Sequence, residues 1–226
     1  MITSNAMKML GRPSTDIVTL TMPCFGTTDR TRDNATKLGE LLGTTFRRVD
    51  IGEAVMQHFA DIGHDPSDHS TTYENCQARE RTQVLMDIAN KNGGLVIGTG
   101  DLSELALGWC TYNGDHMSMY AVNCSIPKTL VRHLTHYVSD LNRESNPELS
   151  AVLDDVLATP VSPELLPTTE DGQMTHFTED LVGPYELHDF FLYYAIRCAF
   201  PPKKVFRLAE YVFNGEYDHD TILKWL

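Results

Sequence analysis

A run of small, hydroxyl and acidic residues over Gly98–Tyr112 has the composition of a ligand-binding turn. It follows a short apolar segment that ends at Ile97, and its glycines let a ligand approach the backbone closely. Thr99 and Ser103 add hydroxyl groups, and the pattern predicts a helix that begins near Leu102. Helix N-termini favour anions such as phosphate, and ligands of open α/β sheets bind beyond the carboxyl ends of the strands. This run therefore predicts a site for an anionic ligand.

Glu104 would lie in the first turn of that helix. A carboxylate at this place can hold Mg²⁺ or a ligand hydroxyl. It can equally do no more than interact with the positive end of the helix dipole, in a glycine-rich turn that binds nothing. From the residue types alone, both interpretations stay open.

The elements that would position this run alternate between strands and helices. The pattern predicts strands over 16–22, 46–51 and 95–97, and helices over 30–42, 53–60 and 71–92. The last of these helices would start with a capping box made by Thr71 and Glu74. A short apolar strand flanked by glycines usually belongs to a sheet that is covered on both faces. We therefore expect an α/β fold, a parallel sheet with helices on both faces.

The second half of the chain has a helical pattern from Pro127 onward. Helices are predicted over 128–141, 147–158, 187–199, 202–213 and 218–226. The polar, acidic segment 168–180 is expected to be a mobile loop. The fold thus gains a helical C-terminal part.

Composition and charge argue against several classes of protein. Of 226 residues, 42 % are hydrophobic and 22 % are charged, and the formal net charge of −13 disfavours a protein that grips nucleic-acid backbone. No run approaches the roughly 20 apolar residues of a membrane span, and Met1–Leu20 lacks the order of a signal peptide. The five cysteines are odd in number and lack CxxC spacing. We expect a cytoplasmic protein with neither nucleic acid nor membrane among its partners.

Five segments occur in the same order as in a known family. Together they closely resemble the synthetase domain of NAD synthetases, and the form GTGDLSELALGW is similar to the glutamine-dependent, two-domain class. The segments are Tyr73–Arg79, Gly98–Glu104, Leu107–Tyr112, Gly114–Ser118 and Pro127–Leu130. The resemblance implies an adenine-nucleotide alpha-hydrolase-like fold.

The resemblance also implies a ligase reaction. In such enzymes ATP adenylates the nicotinate carboxylate of deamido-NAD with release of pyrophosphate, and ammonia then displaces AMP to give NAD. ATP and Mg²⁺ are the implied cofactors, because cations must offset the charge of the triphosphate. Ammonia from a glutaminase domain and a homo-oligomeric state are implied as well.

Site residues are carried over from the resemblance position by position. The positions that match deamido-NAD contacts are Asn75, Arg79, Glu104, Trp109, Cys110, Thr111 and Tyr112. Those that match ATP contacts are Thr99, Lys128 and Ser162. Glu104 also matches a Mg²⁺ ligand of the shorter enzymes, and no catalytic residue is assigned.

Parts of the family pattern do not occur in this sequence. A Ser-Gly-Gly-x-Asp-Ser phosphate loop would precede the strand at Asp16, and neither it, a glutaminase domain nor the C-terminal lysine segment is present. We interpret residues 7–226 as a partial NAD synthetase domain, and residues 1–6 as a possible tag or the remnant of a helix. The expectation is that this chain alone does not make NAD.

Two other functions remain open from the sequence. One is another ATP-pyrophosphatase of the same fold, and the second is a non-catalytic module for nucleotide binding or assembly. Two groups have the residue types of metal ligands: the pair His133 and His136, and the cluster of His64, Asp65, Asp68 and His69. Neither has further ligands at metal-site spacing, so we interpret both as structural or exposed.

Overall fold

The first half of the chain alternates helices with short parallel strands. The structure, a computed structural model, describes residues 1–159, 165–166 and 178–226. The elements of this half are α1 (Ile2–Met9), β1 (Val18–Thr21), α2 (Asp29–Leu41), β2 (Thr45–Arg48), α3 (Gly52–Ile62), α4 (Thr71–Asn92), β3 (Ile97–Gly98), α5 (Leu102–Leu107) and β4 (Tyr120–Ala121). The predicted α/β class with parallel pairing is confirmed.

The strands of the described residues form two separate parallel pairs instead of the single sheet that was expected. β1 pairs with β2, and Val18 lies opposite Thr45. β3 pairs with β4, and Ile97 lies opposite Tyr120. Strand β4 was not predicted, because its two residues are both exposed and leave no alternating pattern.

The second half is helical, as predicted. Its elements are α6 (Lys128–Asn142), α7 (Pro147–Ala158), α8 (Thr178–Val182), α9 (Tyr185–Leu192), α10 (Pro202–Val212) and α11 (His219–Trp225). A π-helical turn over Tyr193–Arg197 continues α9, so the helix predicted over 187–199 changes its winding halfway. The loop predicted over 168–180 is wrong at its end, where α8 begins, and 168–177 lies outside the described residues.

The capping box predicted at Thr71 is wrong. The helix α4 has Ser70 as its N-cap, and no side chain accepts a hydrogen bond there. The Ser70 hydroxyl bonds the Asp68 carboxylate instead, at 3.2 Å. Thr71 is thus already the first helical residue, one position too late to cap.

Two buried clusters hold the two halves. The first joins α3 and α4 and consists of Ile51, Val55, Phe59, Tyr73 and Cys76. The second joins α9, α10 and α11 and consists of Leu187, Phe191, Val205, Ala209 and Ile222. Along the chain, α5 and α6 lie between the residues of the first cluster and those of the second. Among the helices of the described ranges, none is long and apolar enough to cross a membrane.

Helix α2 lies directly on the strands β1 and β2 through Gly39. A Cβ atom at this position would meet the Phe46 ring at 2.7 Å and the Thr19 hydroxyl at 3.1 Å. That hydroxyl is also bonded to Thr44 Oγ1 at 2.7 Å, so it has little room to move. The close approach of helix and sheet therefore requires a residue without a side chain.

We expect Gly39→Ala to destabilise the fold by about 1–3 kcal/mol, the usual cost of overpacking, partly offset by the better helix propensity of Ala. Urea unfolding followed by circular dichroism measures the change. Gly94→Ala is the matched control, since its Cβ would meet nothing nearer than the Ala89 carbonyl at 4.0 Å. Equal stability of the two variants would contradict the close contact at Gly39.

A bidentate ion pair fastens α2 to α7. Arg30 donates from Nε to Asp155 Oδ2 at 3.0 Å and from a terminal nitrogen to Oδ1 at 2.6 Å. Asn34 adds a bond to Oδ2 at 2.6 Å. These hydrogen bonds, that of Arg30 first, lower the pKa of Asp155 to about 2.

The pair predicts a pH-dependent contribution to stability. An unfolded Asp has a pKa of about 3.9, so the folded value is depressed and the contribution is complete above roughly pH 4. It falls as the pH drops through the folded pKa of about 2. The difference in melting temperature between the wild type and Arg30→Met should therefore be larger at pH 6 than at pH 3.

Arg12→Met is the control for this measurement, because Arg12 pairs with Asp16 only four residues away and joins no two elements. We expect a smaller effect from it at pH 6. A melting difference for Arg30→Met that stays constant from pH 6 to pH 3 would contradict the stabilising role of the pair.

Candidate active site

The N-terminus of α5 is closed by a capping box that the sequence analysis missed. Asp101 Oδ1 accepts a hydrogen bond from the Glu104 N–H at 3.0 Å, and Glu104 Oε2 accepts one from the Asp101 N–H at 3.2 Å. An Asp three residues before a Glu, just ahead of an apolar run, was the signal that could have found it. Both carboxylates are thereby fixed at the start of the helix.

Lys128, the first residue of α6, reaches into this box. Its Nζ lies 2.8 Å from Asp101 Oδ2 and 2.5 Å from Glu104 Oε1. Burial lowers the pKa of the Lys128 ammonium, but the hydrogen bonds to Asp101 and Glu104 outweigh it, and the pKa is raised. Asp101 is only 2 % exposed, so the pair is a buried one in which each charge needs its partner.

Two carboxylates face one ammonium, so this group keeps one negative charge that a further cation can neutralise. Mg²⁺ usually takes one or two protein carboxylates and completes its shell with phosphate and water. The donor set fits such an ion, with Glu104, the more exposed carboxylate, as the side chain that would hold it. Among the described residues no three His, Cys, Asp or Glu side chains form a metal cage of their own.

The backbone at the start of α6 is also held. The Lys128 N–H donates to the Ser103 hydroxyl at 2.8 Å, and the Thr129 N–H donates to Asp189 Oδ2 at 2.8 Å. The Ser103 hydroxyl in turn makes a short hydrogen bond to Asp189 Oδ1. Nothing in the sequence pattern pointed to Asp189, which lies 86 residues from Ser103.

A buried tyrosine lies beside the Lys128 ammonium. The centroid of the Tyr185 ring is 5.5 Å from Nζ, within the range of a cation–π contact. Burial raises the pKa of Tyr185 to about 12, and its hydroxyl has no hydrogen-bond partner among the residues that the structure describes. The aromatic ring rather than the hydroxyl therefore contacts the lysine.

A second group joins α4 to the segment after α5. The Thr111 hydroxyl donates to Asn75 Oδ1 at 2.8 Å, and Arg79 Nε donates to the Tyr112 carbonyl at 3.1 Å. The Thr111 N–H is held by Asp115 Oδ1 at 2.7 Å. Four of the residues predicted to bind deamido-NAD thus contact one another in two pairs.

The remaining predicted residues lie around these two groups. Trp109 is half-buried. Its backbone N–H donates to the Glu104 carbonyl at 2.9 Å, which connects the two groups through the backbone. Cys110, Thr99 and the Tyr112 ring are exposed. Ser162 lies outside the described residues.

The two histidine clusters form no such constellation. His136 is exposed and pairs with Asp140 of its own helix at 3.1 Å. His64 contacts the Asp68 carbonyl at 3.0 Å, and the rings of His64 and His69 pack against Phe59 and Tyr73. Both clusters are thus engaged locally.

Comparison with known proteins places this geometry in a family. The family model described as NAD synthase matches residues 2–196. The glutamine-dependent NAD(+) synthetase of Mycobacterium tuberculosis is 44 % identical over 218 residues, which are 94 % of this chain and 32 % of that protein. The chain thus spans about a third of the length of this curated relative.

Solved structures share the fold. One is a glutamine-dependent NAD+ synthetase from Acinetobacter baumannii in complex with ADP, with a TM-score of 0.58 and 24 % identity over 98 % of this chain and 37 % of that one. Another is an NMN synthetase from Francisella tularensis, with a TM-score of 0.63 and 24 % identity over 84 % of this chain and 69 % of that one. From the match over most of its length, the chain belongs to the NAD synthase family.

Proposed function

We propose that this chain binds the nucleotides of a ligase that converts deamido-NAD to NAD with ATP and with ammonia derived from glutamine. The observation that carries the proposal is the 44 % identity to a glutamine-dependent NAD(+) synthetase over 94 % of the chain. The grouping of Asn75, Thr111, Arg79 and Tyr112 supports it. The ADP bound to a structural neighbour supports ATP as the second nucleotide.

In the proposed reaction an oxygen of the nicotinate carboxylate attacks the α-phosphorus of ATP, and pyrophosphate leaves. Ammonia then adds to the acyl carbon, AMP leaves with the bonding electron pair, and one proton is released. AMP is needed because a free carboxylate is a poor electrophile. Mg²⁺, when bound, would withdraw charge from the phosphates.

In that scheme the residues of this chain bind the two nucleotides and orient them. Lys128 and Thr99 contact ATP, with Ser162 as a further ATP contact. Glu104 holds Mg²⁺ or a hydroxyl of deamido-NAD. Asn75, Arg79 and the segment Trp109–Tyr112 hold deamido-NAD, where an aromatic ring lies against the nicotinate. Such positioning is a large part of what aligning two nucleotides requires.

A cytoplasmic location and a homo-oligomer belong to the proposal as well. Helix α6 carries four exposed apolar side chains at helical spacing, and they supply one surface on which copies could associate: Leu130, Leu134, Tyr137 and Leu141. The alternatives are another ATP-pyrophosphatase of this fold and a non-catalytic nucleotide-binding or assembly module.

We expect deamido-NAD and MgATP each to raise the melting temperature of the chain, since a ligand that binds only the folded state stabilises it by mass action. The deamido form of the mononucleotide, which lacks the adenylate half, should give a smaller shift. Protection by the mononucleotide alone would favour a related ligase, and protection by an unrelated acyl acceptor would favour another ATP-pyrophosphatase. Binding of both nucleotides without NAD formation by the longer protein would favour the non-catalytic module.

Asn75→Ala should weaken the binding of deamido-NAD roughly tenfold, about the net contribution of one hydrogen bond, and change the affinity for MgATP by less than about threefold. Isothermal titration measures both constants. Asn90→Ala is the control, an exposed asparagine on the same helix α4. An equal loss of affinity for both ligands, or no loss for either, would contradict a role of Asn75 in binding deamido-NAD.

Lys128→Met should weaken the binding of MgATP about 10- to 100-fold, because a hydrogen bond to a charged group contributes about 1.5–3 kcal/mol. The affinity for deamido-NAD should stay nearly unchanged. It also leaves the buried Asp101 without its cation, so a lower melting temperature is expected. Lys128→Arg keeps the charge and separates the two effects. Lys203→Met, an exposed lysine on α10, is the control. Unchanged MgATP binding in a folded Lys128→Met protein would contradict the role.

A further inference from the structure

Asp189 is a buried carboxylate of α9 that lies at the N-termini of two other helices. It is 8 % exposed. Its Oδ1 accepts the Ser103 hydroxyl of α5, and its Oδ2 accepts the Thr129 N–H of α6 at 2.8 Å. A carboxylate without water needs such donors, and the positive ends of helix dipoles stabilise its charge. One side chain of the helical C-terminal part thereby joins α5 to α6.

The Ser103 hydroxyl passes this restraint on to Lys128. Ser103 is fully buried, and a hydroxyl has one proton to donate. Because that proton goes to Asp189, the oxygen lone pairs are free to accept the Lys128 N–H, at 2.8 Å. Asp189 thus sets the direction of the hydroxyl, and the hydroxyl holds the backbone of Lys128.

Helix α9 restrains the other end of the same lysine through Tyr185. Tyr185 precedes Asp189 by four residues, so the two side chains lie on one face of α9. The Tyr185 ring is buried and lies 5.5 Å from Lys128 Nζ. A lysine side chain has rotamer entropy to lose when a ligand holds it, and contacts at both of its ends restrict that freedom before a ligand arrives.

We propose that Asp189 is a positioning residue, which acts through the Ser103 hydroxyl and the Thr129 N–H to fix Lys128 at the phosphate end of the nucleotide site. The restraint on Lys128 stands on the hydrogen bonds alone. The consequence for ATP rests on the proposed function.

Asp189→Asn tests the proposal, because it keeps the size of the side chain and one acceptor for Ser103. Its amide nitrogen would then face the Thr129 N–H, donor against donor. We expect hydrogen exchange of the Thr129 amide, followed by NMR, to accelerate at least tenfold. Exchange of the Lys128 amide should accelerate by a smaller factor, because the neutral amide oxygen is a weaker acceptor for the Ser103 hydroxyl than the carboxylate. The Leu149 and Thr221 amides, which bond the caps Asn146 and Asp218, should not change.

The nucleotide measurement asks whether this restraint matters for binding. We expect Asp189→Asn to weaken the binding of MgATP about tenfold and the binding of deamido-NAD by less than threefold. Asp218→Asn is the matched control, since Asp218 also caps a helix of the C-terminal part, where its carboxylate accepts the Thr221 N–H of α11. It should leave both affinities unchanged.

Ser103→Ala is the second variant. It tests whether the restraint on Lys128 passes through the Ser103 hydroxyl, and it does so even when Asp189→Asn fails to fold. It should accelerate exchange of the Lys128 amide and leave that of Thr129, which bonds Asp189 directly. The double variant should then be no faster at Lys128 than the faster single variant, because both act on one hydrogen bond.

Unchanged exchange at Lys128 in these variants would overturn the proposal. So would a uniform acceleration of all amides with equal loss of both nucleotides, which marks a purely structural role. If the wild-type chain binds no MgATP, that failure belongs to the proposed function, and the exchange rates of Lys128 and Thr129 still decide whether Asp189 positions the lysine.

Discussion

The starts of α5 and α6 meet, and their backbone N–H groups have no partners within their own helices. Three acidic side chains solve this problem. Asp101 and Glu104 close α5, and Asp189 closes α6. Because Asp101 and Glu104 lie together in a largely buried place, a cation must join them, and Lys128 is that cation. The capping of two helices and the placement of the site lysine are therefore one arrangement.

The same arrangement links the two halves of the molecule. Helix α4 and the segment after α5 carry the group around Asn75, whereas α9 brings Asp189 and Tyr185 from the helical part. Neither half contains the whole lysine environment. The helical part thus contributes to the site as well as to the second buried cluster.

The sequence predicted what is encoded locally. Helix α4 has the predicted bounds of 71–92, and Gly93 ends it as predicted, although the capping box predicted at its start is wrong. The motif residues lie together, and Glu104 bonds Lys128 as well as its cap. The partner of Ser103 could not be predicted, since a hydrogen bond over 86 residues has no local pattern. The Thr71 box is wrong because Thr71 is already the first helical residue and Ser70 is the N-cap.

The leftover negative charge of the Asp101, Glu104 and Lys128 group has a consequence for what can enter. A bare polyanion would meet a carboxylate beside every donor that the lysine offers, and repulsion would cancel part of the attraction. A polyanion that carries its own divalent ion would meet the carboxylates with a positive centre. On electrostatic grounds, the group would therefore repel a bare anion more strongly than the same anion with its metal ion.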